Sequence, residues 1–189
     1  TLLYLPSILP FVIIGMVFRS ILNYNTGLLN TGLDALQLGF LKQKWLSDLN
    51  VVWKSIYGVD AWRGIGYVMT IFLAGLNTIP GSFYEAAQID GANFWQRLRA
   101  VTLPMLTGAI TVNLVFGITY GLKVFDIIYV LTNGGPGHAT EVITTYSYQL
   151  YSSGQYAMST ALNTVLLAIA AIIGILVVKF MAGKEVQQG

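Results

Sequence analysis

The sequence predicts an all-α membrane protein, a polytopic helical bundle with about four transmembrane helices. Three observations carry this. Hydrophobic residues make up 55% of the chain and charged ones 10%, with a mean hydropathy of +0.66, whereas a soluble domain carries about 25% charged residues. Uncharged apolar runs recur at membrane length. Only one long stretch, Pro80 to Pro104, mixes polar and charged residues between two such runs.

The first run, Leu2 to Phe18, is closed by Arg19. At about 1.5 Å per residue it is just long enough to cross a bilayer core. Pro6 and Pro10 are expected to bend it. The segment from Asn23 to Asn50 reads as an irregular loop with an interfacial helix around Leu33 to Leu41. A second helix is expected from near Asn50 to Leu76, its uncharged part running from Gly64 to Ile79. Asp60 and Arg63 stand at i, i+3 and could pair, at the outer interface or in a water-filled cavity. The third run is Ala100 to Leu122, between Arg99 and Lys123. Asn113 lies in its middle and Tyr120, seven residues on, shares its face. A buried Asn there either hydrogen-bonds a neighbouring helix or lines a path. Gly134, Gly135, Pro136 and Gly137 then break any helix. Glu141 to Tyr151 follows as a short helix whose tyrosines suit a membrane interface. The fourth run, Ala157 to Val178, carries Asn163 and is followed by Lys179, Lys184 and a short polar tail.

The Pro80–Pro104 stretch reads as two short helices joined at a glycine. Ser82 is expected to N-cap the first, forming a capping box with Glu85. Asp90 and Gly91 stop it, since glycine enters the left-handed conformation without penalty. In the second, Phe94, Leu98 and Val101 make one apolar face. Ala86 and Ala87 allow another surface to approach closely. Physics alone leaves two readings: an amphipathic hairpin in the lipid headgroups, or a loop that docks a protein.

Several function classes are excluded. The chain has no cysteine, which removes disulfides, thiolate metal sites and a cysteine nucleophile. A formal net charge of +2 gives no footprint for nucleic acid. No nucleophile stands with a base, no ligand set has metal spacing, and the glycine-rich turn lacks the Gly-Lys-Ser/Thr of a nucleotide loop. The single His138, in that turn, reads as a surface residue. No cofactor is expected.

Two blocks of residues resemble a known family. Glu85-Ala86-Ala87, Gly91, Val101, Leu103 and Pro104 stand at the spacing of the cytoplasmic loop motif of permease subunits of binding-protein-dependent ABC importers, with Val101 where isoleucine is common. Lys123 to Pro136, KVFDIIYVLTNGGP, is similar to the sugar-permease class that includes maltose, multiple-sugar and glycerol-3-phosphate importers, and within it to the first of two paired permeases. The resemblance implies a type I importer permease core, with 1–189 as one transmembrane domain lacking N-terminal spans and 80–104 as a coupling loop within it. It implies ATPase docking by Glu85, Ala86, Ala87, Asp90, Gly91, Ala92, Leu103 and Pro104. It implies as partners ABC ATPase subunits, a second permease and an extracytoplasmic solute-binding protein, besides membrane lipid, in a bacterial or archaeal cytoplasmic membrane. Asn113, Tyr120 and Asn163, polar side chains on otherwise apolar spans, are the candidates for the solute path.

Four spans put the N-terminus, the coupling loop and the C-terminus on one side. Arg97, Arg99, Lys179 and Lys184 mark that side as cytoplasmic, but Arg19, Lys42, Lys44, Lys54, Arg63 and Lys123 fall toward the other. The positive-inside rule leaves the orientation open, and the resemblance puts the Glu-Ala-Ala loop inside. A secondary transporter or channel, or a scaffold anchoring a cytoplasmic complex, stand as the other readings. A transporter or channel of that kind needs coupling or filter residues at mid-membrane, and the third and fourth runs hold no acidic residue.

Overall fold

The computed structural model describes residues 2–185, and among them the regular structure is entirely helical. Thr1 and the polar tail 186–189 lie outside the described residues. A 3-10 turn, Leu2–Tyr4, leads into α1 (Leu5–Ile8) and α2 (Phe11–Ile21). Then come α3 (Leu28–Ala35), a 3-10 turn at Gly39–Leu41, and the long α4 (Val52–Asn77). The loop region holds α5 (Gly81–Ile89), α6 (Phe94–Arg97), a π turn at Leu98–Thr102 and α7 (Leu103–Met105). It is followed by α8 (Thr107–Lys123), α9 (Asp126–Leu131), α10 (Ile143–Ser152) and α11 (Tyr156–Glu185).

Within α11, Tyr156–Lys179 is long enough to cross a membrane by itself, and its most apolar 18 residues have a mean hydropathy of 2.7. The pair α4 and α5, and the run Phe94–Met105 with α8, are apolar and long enough only as bent pairs, at 70° and 66°. Counting each bent pair as one gives up to three spans among the described residues. The expected first span does not form as one helix. Pro10 drives Leu9 into the extended region (ψ 139), because the ring's Cδ clashes with a helical predecessor. The 11-residue α2 that follows is about 16 Å long, half a bilayer core.

The chain divides into two compact units, residues 1–65 with 122–168, and 66–121 with 169–189. In the first, α2 packs along α9. Ile14 and Leu22 from α2 and its end, Val52, Ile56 and Val59 from α4, and Ile127, Ile128 and Leu131 from α9 form one buried cluster. Gly15 makes the approach possible: a Cβ there would stand 2.7 Å from Val130 Cγ1 and 2.8 Å from its Cβ. Gly15→Leu is therefore expected to overpack this seam and cost about 1–3 kcal/mol, read as a lowered thermal midpoint of the detergent-purified protein; an unchanged midpoint would mean that the seam is not tight. Trp53 closes the unit's other side, donating from its indole N–H to the Ala139 carbonyl at 3.0 Å. Arg63 lies over the Phe11 ring, 3.3 Å from its centroid.

The helix expected at Leu33–Leu41 forms earlier, as α3. Its buried Asn30 sets the position. The Asn30 amide donates to the Tyr24 and Gln43 carbonyls, and its oxygen accepts from the Trp45 indole. Gln37, at φ 59, then ends the helical run before Leu38.

The second unit is built on the later half of α4, the loop helices and α8. Gly75 is its close-approach point, where a Cβ would meet Ala109 Cβ at 2.8 Å. Tyr67 and Phe116 meet edge-to-face at 5.9 Å. The third helix does not run straight from Ala100; it bends at Leu106, after Pro104, which has no N–H to give the helix ladder.

Candidate functional site

The loop between α4 and α8 is built by three local devices. The first is the entry to α5. Pro80, with φ −61 and ψ 136, is itself the N-cap, and no side chain caps the helix. Ser82 is thus already inside the first turn, and the expected Ser82–Glu85 capping box does not form. Proline's fixed φ and extended ψ turn the chain into the helix without it.

The second device is the stop. The Gly91 N–H bonds the Gln88 carbonyl at 3.0 Å and the Ala92 N–H bonds the Ala87 carbonyl at 2.9 Å, with Gly91 at φ 73. This is the paired bonding of a Schellman motif, which satisfies the last carbonyls of the helix. Asp90 is the C-cap, so the helix stops at Asp90 and Gly91 as expected, with the Ala92 N–H completing the corner.

The third device is the capping box that the loop does contain. Asn93 Oδ1 accepts from the Gln96 N–H at 3.0 Å, and Gln96 Oε1 accepts from the Asn93 N–H at 2.7 Å. It starts α6, which runs for four residues before the π turn, where the Leu103 N–H reaches back to the Leu98 carbonyl. The Tyr84 hydroxyl meets Thr102 Oγ1 at 3.1 Å and ties α5 to that turn.

These devices leave one face of α5 open. Ser82, Glu85, Ala86 and Ile89 fall at i, i+3, i+4, i+7 and are all exposed, Ile89 by 87%. Ala87 and Ala92 are half-buried on the inner side, as is Pro104, while Leu103 is exposed. Phe94 is 63% exposed and Trp95 68%, their rings edge-to-face at 5.4 Å. The expected Phe94, Leu98 and Val101 face is therefore split, with Phe94 outward and only Leu98 and Val101 partly covered. Ile89 and Trp95 are residues that the sequence reading missed. Their signal was present as large apolar side chains off the inward stripe.

A second site lies in the first unit. Phe125, Thr144, Ser147, Tyr148, Tyr151, Ser159 and Asn163 line a cavity of 340 Å³. Phe125 stacks on Tyr129 at 5.0 Å, and Tyr148 closes against both, at 5.3 and 5.1 Å. The floor is fixed by a reciprocal pair. Ser159 Oγ donates to the Ser147 carbonyl at 2.9 Å, and the two hydroxyls are 2.9 Å apart, both buried. Thr144 Oγ1 bonds the Val124 carbonyl. An aromatic wall beside hydroxyls and an exposed carboxamide can stack on and hydrogen-bond a polyhydroxylated solute.

Of the three expected path residues, Asn163 reaches this cavity. Asn113 and Tyr120 are both on α8, in the part belonging to the second unit. Asn113 Nδ2 donates to the Ala109 carbonyl of its own helix at 3.0 Å, and its buried Oδ1 has no partner among the described residues. Tyr120 is 36% exposed.

A membrane-length helix, bent apolar helix pairs and an exposed short helix between two apolar segments are the features of a polytopic helical membrane protein. The chain belongs to the family described as binding-protein-dependent transport system inner membrane component, whose model matches residues 1–183. It is 34% identical over 187 residues to the probable ABC transporter permease protein YurN of Bacillus subtilis, covering 98% of this chain and 64% of that protein. It is 36% identical over 159 residues to the trehalose/maltose transport system permease protein MalF of Thermococcus litoralis, covering 84% of this chain and 53% of that one. A crystal structure of a bacterial ABC transporter involved in import of the acidic polysaccharide alginate superimposes with a TM-score of 0.85 at 27% identity, covering 95% of this chain and 63% of that one. The chain thus spans about half to two thirds of the length of these relatives.

Proposed function

We propose that this chain is the transmembrane permease subunit of an ATP-driven importer for a sugar or related solute. The observation that carries the reading is the open Ser82, Glu85, Ala86 and Ile89 face of α5, held by a Schellman corner between two apolar helices. In this reading α5 docks on a separate ATPase subunit, with Glu85, Ala86, Ala87, Asp90, Gly91, Ala92, Leu103 and Pro104 forming the docking element. Leaving Ile89 almost wholly in water is unfavourable by about 25 cal/mol per Å² of apolar surface, and a docked partner removes that cost. A second permease completes the path, and an extracytoplasmic binding protein delivers the solute. The names of the relatives support a sugar class, and the cavity around Phe125, Tyr148 and Asn163 suits one. Asn113 and Tyr120 are assigned to the path as well, as polar side chains on an apolar helix. The chain carries no chemistry of its own in this mechanism: ATP binding shifts the assembly between two conformations because nucleotide binds one of them better. The setting is a bacterial or archaeal cytoplasmic membrane.

Uptake by the assembled complex with and without ATP separates this from a secondary transporter, a channel or a scaffold. Orientation has its own test in this cysteine-free chain. Gln88→Cys, on α5, is expected to resist an impermeant thiol reagent added outside intact cells. His138→Cys, whose parent side chain is 77% exposed, is expected to react. The reverse pattern overturns the assignment of the α5 loop to the cytoplasm.

A further inference from the structure

We propose that the C-terminal end of α2 forms a binding pocket for the headgroup of an anionic phospholipid. A cavity of 450 Å³ in the first unit is lined by Arg19 and Lys44, with Asn23, Asn25, Ser47 and Thr132 among its polar walls. Among the described residues no carboxylate lines it. Two cations therefore share a polar cavity without a counter-charge in its wall, which suits an oxyanion.

Both walls are held in place by buried polar groups. Asn30, 2% exposed, donates to the Gln43 carbonyl and accepts from the Trp45 indole, on either side of Lys44, and also donates to the Tyr24 carbonyl. The Lys44 ammonium lies over the Tyr24 ring, 5.7 Å from its centroid. On the other side Thr140, 0% exposed, donates to the Gly135 carbonyl at 2.6 Å and meets Thr132 Oγ1 at 2.7 Å. A cavity with pinned walls pays little to bind.

The neighbouring surface selects a lipid over a free anion. Val12, Met16 and Arg19 fall at i, i+4, i+7 on one face of α2. Val12 is 43% exposed and Met16 62%. An apolar strip thus runs along the helix and ends at a cation, and Tyr24 lines the same cavity, as aromatic residues do at a membrane interface. A phosphodiester at Arg19 and Lys44 leaves its acyl chains along Val12 and Met16. The other basic residue nearby, Lys42, is already held by Asp34 at 2.7 Å and is not part of the cavity wall.

The test is native mass spectrometry of the full-length protein in detergent, titrated with dioleoyl phosphatidylglycerol or with dioleoyl phosphatidylcholine. Each membrane-surface cation contributes about fivefold to anionic-lipid binding. Phosphatidylglycerol is therefore expected to be retained about fivefold or more over phosphatidylcholine. Arg19→Gln with Lys44→Gln is expected to abolish the preference, Arg19→Lys to keep most of it, and Lys42→Gln to leave it intact. Equal retention of the two lipids overturns the proposal, as does a preference that survives the double substitution or falls equally with Lys42→Gln. Displacement of the lipid by millimolar inorganic phosphate points to a free-anion site and also overturns it. So does displacement by the solute-binding protein, which would assign the cations to an acidic surface of that partner.

Discussion

With α5 in the proposed docking role, Gly91→Leu is expected to release the ATPase subunit from the assembled transporter while the helices still insert. The φ of 73 at this residue costs a residue with a Cβ about 1–2 kcal/mol, and the Schellman bonds from Gly91 and Ala92 depend on it. The strain is relieved by reopening the corner, and that re-aims α6 with Phe94 and Trp95. No atom lies within 4 Å of a Cβ built at Gly91, so the substitution acts through the backbone and not through a clash. Co-purification of the ATPase and binding-protein-stimulated ATP hydrolysis are the measurements; full retention of both would remove α5 as the coupling element. Glu85→Gln separates two roles in the same assay. Since Glu85 closes no capping box, the change leaves α5 stability nearly untouched. Any loss of coupling then reports a charge-assisted bond to the partner, which is roughly twice as strong as a neutral one.

Tyr148→Ala is the counterpart on the solute side, and it is expected to lower uptake at limiting solute by about tenfold. Its ring forms the cavity wall with Phe125, and Tyr129 packs against both. A ring contact of this kind is worth about 0.5–1.5 kcal/mol beyond buried area, which at its upper end is about tenfold in affinity. The loss is expected in half-saturation, with the assembled complex recovered in normal amount and Tyr148→Phe largely active. Unchanged uptake by Tyr148→Ala would place the solute elsewhere. Ser147 and Ser159 are poor probes of the same site, because their mutual bonds hold α10 to the start of α11.

The residues differ in how openly the sequence displayed their roles. The α5 corner was legible because Asp90-Gly91 is a local signal: one residue without a Cβ decides the conformation. The fourth span was legible because α11 carries no charged residue from Tyr156 to Val178. The start of α5 was misread by the same local reasoning. Ser82 and Glu85 have the spacing of a capping box, but Pro80 ends the preceding turn first and takes the cap position. Asn93 and Gln96, with the same spacing and no proline before them, form a capping box at the start of α6 instead. The first span failed at Pro10, whose effect falls on Leu9 and cuts the run in two. The aromatic cavity was legible only at Asn163. Phe125, Tyr148 and Ser159 lie on three separate segments, and no periodicity connects them before α9, α10 and α11 are folded together.

The π turn at Leu98–Thr102 carries a consequence in the phase of the helix. An α-helix advances roughly 100° for each residue, whereas the i→i+5 closure takes in one residue more than the ordinary turn. Everything before the turn is thus rotated by about one residue's angle relative to everything after it. Numbering faces straight through from Phe94 to Val101 counts into that slip. Loss of a single residue from this turn is the smallest change that restores an unbroken α ladder into Leu103. It would swing the Phe94 and Trp95 side of the loop through roughly a quarter turn about the helix axis, presenting a different surface beside α5 without altering the sequence of α5.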